Sequence, residues 1–170
     1  MIAYAQRRFE ALPPMIRQQE VPLAAILKSD YVFFLKGKPS KEEVVKFLTD
    51  GLYPQVKDMI TSQDLYAKVM EVEKLNNVLE TGFYIPHAKL ADIDGFHAAL
   101  AVIPEGFDDA KSGIKVKAAL LLLTPNRPIF FQQHLNMLSK LSRLFQTSFI
   151  DSIAAMKTGA QVREAVGKAE

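Results

Sequence analysis

The chain contains no cysteine. That absence excludes a disulfide framework, a thiolate nucleophile, a Cys-ligated zinc site and an iron–sulfur cluster. Covalent chemistry must therefore use an oxygen or nitrogen nucleophile. An excess of one charge sign is also missing: 21 Lys and Arg against 19 Asp and Glu leave a net charge of +2 over 170 residues. Near-balance gives no electrostatic reason to expect nucleic acid as the main partner, and the isoelectric point of 8.7 reflects a small excess of lysine. Long apolar runs are absent too. Ala118 to Leu123 is six residues, against about 20 for a membrane helix. The N-terminus MIAYAQRRFEALPPMIRQQE lacks the apolar middle and small-residue cleavage site of a signal peptide. A soluble, cytoplasmic protein without membrane insertion is expected. There is no phosphate-cradling Gly loop and no nucleophile-elbow serine; His87, His134 and an Asp could bind zinc, but no short ligand spacing supports it.

What is present is a globular composition, 49% hydrophobic and 24% charged, at a length that suits one domain. Residues 1–22 are expected to form an N-terminal extension, with a helix over Ile2–Ala11 that Pro13-Pro14 ends, and residues 23–170 the domain proper. Leu23–Leu27 reads as a helical turn and Tyr31–Leu35, rich in β-branched and aromatic residues, as a strand. Ser40 with Glu43 makes a capping box that opens a helix carrying Val44, Phe47 and Leu48, weakened at Gly51 and Pro54. Thr61 with Asp64 opens another, with Leu65, Val69 and Val72 on one stripe. The middle third changes period. Phe83–Ile85, His97–Ile103 and Val116–Leu123 are short, dense apolar runs suited to strands covered on both faces. Beyond them Leu135, Leu138, Leu141 and Phe145, then Ile150, Ile153 and Ala154, return to helical spacing, and Thr158 with Gln161 makes a second capping box. Helices flanking a few buried strands define one α/β sandwich.

With no thiol available, the three histidines are the candidates for nucleophilic or acid–base work, since imidazole titrates near neutrality. His87 follows Pro86 in Thr81-Gly82-Phe83-Tyr84-Ile85-Pro86-His87-Ala88-Lys89. Pro86 cannot donate to a ladder and holds Ile85 extended, so the strand is expected to stop there and present His87 at its end. The plainer reading is a surface histidine beside a strand-terminating proline. His134 precedes Leu135 early in the helix after Asn126-Arg127-Pro128, where the helix dipole favours neutral imidazole and a bound anion; its plainer reading is a hydrogen-bonded core histidine. His97, inside an apolar run, reads as structural or as a satisfied rim residue. Asp108-Asp109 and the pair Asp92 and Asp94 read as turn formers rather than metal ligands.

The segment Thr81–Lys89 resembles the IIA domains of the bacterial phosphoenolpyruvate-dependent sugar phosphotransferase system, of the fructose, mannitol and nitrogen-regulatory branch, whose motif reads Thr-Gly…Ile-Pro-His-Gly-Lys. Pro39-Ser40-Lys41-Glu42-Glu43-Val44 resembles that family's Ser-Lys-Glu-Glu helix start, Val116–Leu123 its penultimate apolar strand, and His134-Leu135-Asn136-Met137-Leu138 its His-Leu-x-x-Leu helix, 47 residues after His87. The likeness runs from about Leu23 to Val166. It implies a mixed sheet flanked by helices, and a phosphohistidine carrier in which His87 accepts a phosphoryl group from HPr or an HPr-like protein and passes it to a IIB component, while His134 stands beside the phosphohistidine. It implies no metal or organic cofactor, and a homo-oligomer is compatible with it. Two alternatives stay open: a nitrogen-branch-like regulatory module whose partner binding depends on His87 phosphorylation, and a degenerate interaction domain that is not phosphorylated. The family's upstream Arg-Glu pair is missing, since that region reads Met70-Glu71-Val72-Glu73-Lys74 and then Leu75-Asn76-Asn77-Val78-Leu79-Glu80. Lys74 or Lys89 could replace the arginine as a point charge, without its planar fork. IIB domains of this system commonly accept on Cys, so with no Cys in these residues a IIA–IIB fusion of that kind is not expected.

Overall fold

The computed structural model describes residues 21–75 and 77–170. The helix expected at Ile2–Ala11 lies outside the described residues. From Val21 onward the chain forms a six-stranded mixed sheet with helices on both faces. The elements are α1 (Leu23–Ile26), β1 (Val32–Phe34), α2 (Lys41–Leu52), α3 (Ser62–Glu73), β2 (Val78–Leu79), β3 (Phe83–Tyr84), β4 (His87–Leu90), β5 (His97–Asp108), β6 (Lys115–Pro125), α4 (Pro128–Leu144), α5 (Thr147–Ala154) and α6 (Gly159–Ala169).

The helix starts follow from local chemistry. Ser40 accepts from the Glu43 amide while Glu43 reaches back to the Ser40 amide, closing the expected capping box, and Thr158 and Gln161 repeat it at α6. Thr61 caps α3 through the Asp64 amide. Pro128 begins α4, where its missing N–H costs nothing.

The central pair is the antiparallel β5–β6 ladder, with β1 parallel to β5 on one side. On the other side, β3 and β4 lie one after the other along β6, both parallel to it, and β2 closes the edge on β3. Alternation along the strands divides the core in two. Ala118, Leu120 and Leu122 of β6 face α1, α4, α5 and α6; Ala119, Leu121 and Leu123 face α2 and α3. A two-sided sheet needs this unbroken apolar run, which is why β6 reads as one.

The edge that carries His87 is held by two backbone devices. Gly82 turns the chain from β2 into β3 at φ +91°, and a Cβ there would lie 2.8 Å from the Lys115 carbonyl oxygen, so only glycine fits. Pro86 then interrupts the ladder without shifting it: Phe83 faces Ala118 and His87 faces Leu122 in the same register, while the Pro86 carbonyl accepts from the Leu122 amide at 3.0 Å. This corrects the expected strand end. His87 does not terminate a strand in a loop; it is the first residue of β4, because parallel pairing with β6 resumes immediately after the proline.

A charge cluster ties the same region together from the opposite face. Lys41, at the start of α2, forms ion pairs with Glu73, the last residue of α3, and with Asp109 at 3.2 Å. Its ammonium stands 4.9 Å from the Tyr84 ring centroid. Asp109 also accepts from the Ser112 amide at 3.1 Å and hydroxyl at 2.6 Å, forming the turn between β5 and β6. The expected turn-forming role holds for Asp109. Asp94 instead pairs with Arg127, at 3.0 Å.

Candidate functional site

His87 and His134 meet at one end of the sheet. Their ring centroids are 5.5 Å apart with planes inclined at 55°. Strand alternation explains half of this: in β4, Ala88 and Leu90 turn into the α2–α3 core, which leaves His87 and Lys89 on the other side. Helix periodicity explains the rest, because His134, Leu138 and Leu141 form one stripe of α4 against the sheet. His134 is the seventh residue of α4, beyond the first turn, and is only 4% exposed. Burial, not the dipole of the helix start, is what keeps it neutral.

The two rings are anchored differently. The Nδ1 of His87 lies 2.9 Å from the Ile85 carbonyl oxygen. A carbonyl only accepts, so Nδ1 carries the hydrogen and Nε2 of the neutral ring keeps its lone pair. The Nδ1 of His134 lies 2.7 Å from Oγ1 of Thr124, a fully buried residue of β6. Burial holds the His87 pKa below the ordinary histidine value; the Ile85 carbonyl opposes this and the Lys89 charge reinforces it. Burial pushes His134 down to about 3, with His87 and Lys89 adding to the shift. Both imidazoles are uncharged at neutral pH.

They open into a cleft of about 420 Å³ between α3, β4 and α4. Lys68, Glu71 and Val72 lie along its α3 wall at helical spacing, and Leu75, in the turn just after α3, continues it. Lys89 stands beside His87 on the same side of β4, its ammonium 4.4 Å from the Phe131 ring centroid. Lys68, Glu71 and Lys89 also border a larger neighbouring cleft of about 790 Å³, so this wall is open to solvent on both sides. Of the two lysines considered from sequence, Lys89 lines the cleft and Lys74 does not.

Sequence reasoning missed Lys68, Glu71 and Thr124. The only signal for Thr124 was a hydroxyl continuing the apolar row Ala118, Leu120, Leu122. His97 lies outside the cleft, with Nδ1 2.6 Å from the Gln55 side-chain oxygen, a satisfied rim residue as expected. Among the described residues no group of three or more His, Cys, Asp or Glu is arranged to hold a metal ion, and no helix is long and apolar enough to cross a membrane.

A six-stranded mixed sheet with helices on both faces, carrying two facing histidines at one edge, defines the class of protein to be compared. The family profile "Phosphoenolpyruvate-dependent sugar phosphotransferase system, EIIA 2" matches residues 25–168, and the chain belongs to that family. The nitrogen regulatory protein IIA-Ntr of Neisseria meningitidis is similar at 25% identity and a TM-score of 0.74, over 85% of this chain and 98% of that one. The mannitol IIA of Escherichia coli shares the fold at 18% identity and a TM-score of 0.64, over 82% and 97%. The cryptic mannitol-specific enzyme IIA of Escherichia coli does so at 15% and 0.63, over 87% and 99%. No curated protein matches the chain. Membership supplies a general role in phosphoryl transfer.

Proposed function

We propose that the protein is a phosphohistidine carrier in which His87 is the acceptor and His134 its stabilising neighbour. The observation that carries this reading is the pair of neutral imidazoles 5.5 Å apart in an open cleft, with the Nε2 lone pair of His87 left free by the Ile85 hydrogen bond. That nitrogen attacks the phosphorus of a donor phosphohistidine. The donor's P–N bond breaks, its nitrogen recovers the electron pair, and a new P–N bond forms at His87. The ring becomes formally cationic with Nδ1–H retained, and the Ile85 carbonyl is placed to stabilise it. Lys89 and Lys68 supply positive charge near the phosphoryl oxygens, in the role an arginine would otherwise fill. No metal or organic cofactor enters this scheme.

The partners of this reading are an HPr-like donor and a IIB component or regulatory target. The rim suits protein docking: Leu75 lines the cleft and is 70% exposed, and the partly exposed Phe131 ring stands beside Lys89. The regulatory alternative draws support from IIA-Ntr, which overlaps this chain with higher identity and TM-score than the mannitol IIA. In that reading a dianion on His87 changes which protein binds.

The test is incubation with phosphoenolpyruvate, the first enzyme of the system and an HPr-like carrier, followed by mass spectrometry. One added phosphate on wild type and none on His87→Ala is the expected result. An unlabelled wild type defeats both phosphorylation readings and leaves an interaction domain. Label that no IIB component discharges favours the regulatory branch.

A further inference from the structure

We infer that Thr124 is a positioning residue that fixes the tautomer of His134, holding its Nε2–H toward the cleft and His87. Thr124 continues a row of β6 whose other members, Ala118, Leu120 and Leu122, are apolar and buried. A hydroxyl in that row is costly unless it is hydrogen-bonded. Its Oγ1 is 2.7 Å from His134 Nδ1, and this is its one hydrogen bond among the described residues.

The two possible assignments are not equivalent. If Nδ1 of His134 carried the hydrogen, it would donate to Oγ1, and the Thr124 hydroxyl hydrogen would be buried with no acceptor. If Thr124 donates to Nδ1, that hydrogen is satisfied, and the ring's single hydrogen lies on Nε2, which reaches the cleft. Only the second leaves no buried donor unpaired. A histidine that stays neutral through physiological pH has just one ring hydrogen to place, so the hydroxyl decides where it goes. The two rings then present complementary atoms: His87 a lone pair at Nε2, His134 an N–H at Nε2. Once a phosphoryl group occupies His87, that N–H is a donor to its oxygens, placed beforehand and without a proton transfer.

The consequence for phosphoryl stability rests on the proposed phosphorylation of His87; the tautomer does not, so the two are tested separately. Imidazole ¹⁵N NMR of the unphosphorylated protein is recorded for wild type, Thr124→Ser and Thr124→Val. Wild type and Thr124→Ser are expected to show a protonated Nε2 and a bare, hydrogen-bonded Nδ1 at His134, and Thr124→Val to lose the hydrogen-bond shift at Nδ1. A protonated Nδ1 in wild type overturns the inference even if Thr124→Val does not fold. So does an Nδ1 resonance in folded Thr124→Val that matches wild type. In labelled protein, Thr124→Val shortens the phosphohistidine lifetime several-fold and Thr124→Ser restores it; equal lifetimes overturn the positioning role. If the NMR result holds but no phosphate is taken up by wild type, the carrier reading falls and the tautomer assignment stands.

Discussion

The histidine cleft and the Lys41 cluster hang on the same two supports, helix α3 and the β3–β4 edge, yet they treat charge in opposite ways. At Glu73 and Tyr84 every charge is matched: Lys41 serves two carboxylates, and Asp109 is also held by Ser112. About half a turn and one and a half turns back along α3, Glu71 and Lys68 line the cleft without an ion pair to any described residue, and Lys89 faces them from β4. Paired charges lock elements together, whereas unpaired ones beside the proposed nucleophile remain available to an incoming anion. The same helix is a brace at its end and one wall of the proposed site before it.

Four measurements test that contrast. The largest effect is qualitative: His87→Ala removes all phosphate labelling while changing unfolding free energy by no more than about 1 kcal/mol, since the half-buried ring is held by one hydrogen bond. A large stability loss would make His87 part of the brace. Lys41→Met should do the reverse, leaving two carboxylates uncompensated at a loss of about 2–3 kcal/mol, below the fully buried limit because the site keeps some solvent. Denaturant unfolding reads it, and a variant as stable as wild type would demote the cluster to surface decoration. The pH window follows from the shifts. Burial raises the Asp109 pKa, but Ser112 and Lys41 outweigh it and hold it low. That contribution is present above the unfolded carboxylate value of about 3.9 and is lost as pH falls through the lower folded value. Burial likewise lowers Lys41, but Glu73 and Asp109 raise it overall. Its contribution is complete below about 10.4 and is lost as pH rises through the folded value.

His134 gives the third. Its folded pKa of about 3 lies below the unfolded one, so on acidification the unfolded chain takes up a proton that the folded ring refuses. Below about pH 6.5, stability falls by up to about 1.4 kcal/mol per pH unit from this group alone. His134→Gln should flatten that limb, and equal acid limbs in the two proteins would show that the ring is not held neutral. The smallest effect belongs to Glu71. One carboxylate near a phosphoryl dianion in partly solvated surroundings is worth about 1 kcal/mol, so Glu71→Gln should raise the phosphorylated fraction at equilibrium with the donor about fivefold, an effect that added salt diminishes. An unchanged fraction at low salt would place Glu71 outside the field of the phosphoryl group.

Legibility in the sequence followed the range of the interaction. The caps at Ser40, Thr61 and Thr158 are contacts over three residues and were readable as such. The helix stripes and the dense runs of β5 and β6 were visible as periodicity. Strands β2 and β4 were not, being two and four residues long and existing only through partners far along the chain. Pro86 looked like a strand stop because a proline's local effect is to break a ladder; only β6 restores it. Lys68 and Glu71 were passed over because the apolar stripe of Leu65, Val69 and Val72 identifies α3 without saying what its flank faces.

Among the described residues the sequence alone determined where the capped helices begin, that the central strands are covered on both sides, and that covalent chemistry is left to oxygen or nitrogen nucleophiles. These are properties of neighbours along the chain. Tertiary structure decided that two rings 47 residues apart share a cleft, that burial keeps both neutral, and that the Thr124 hydroxyl of β6 meets the His134 ring. Desolvation and hydrogen-bond direction are summed over every element packed around a group, so neither exists until the sheet and α4 have met.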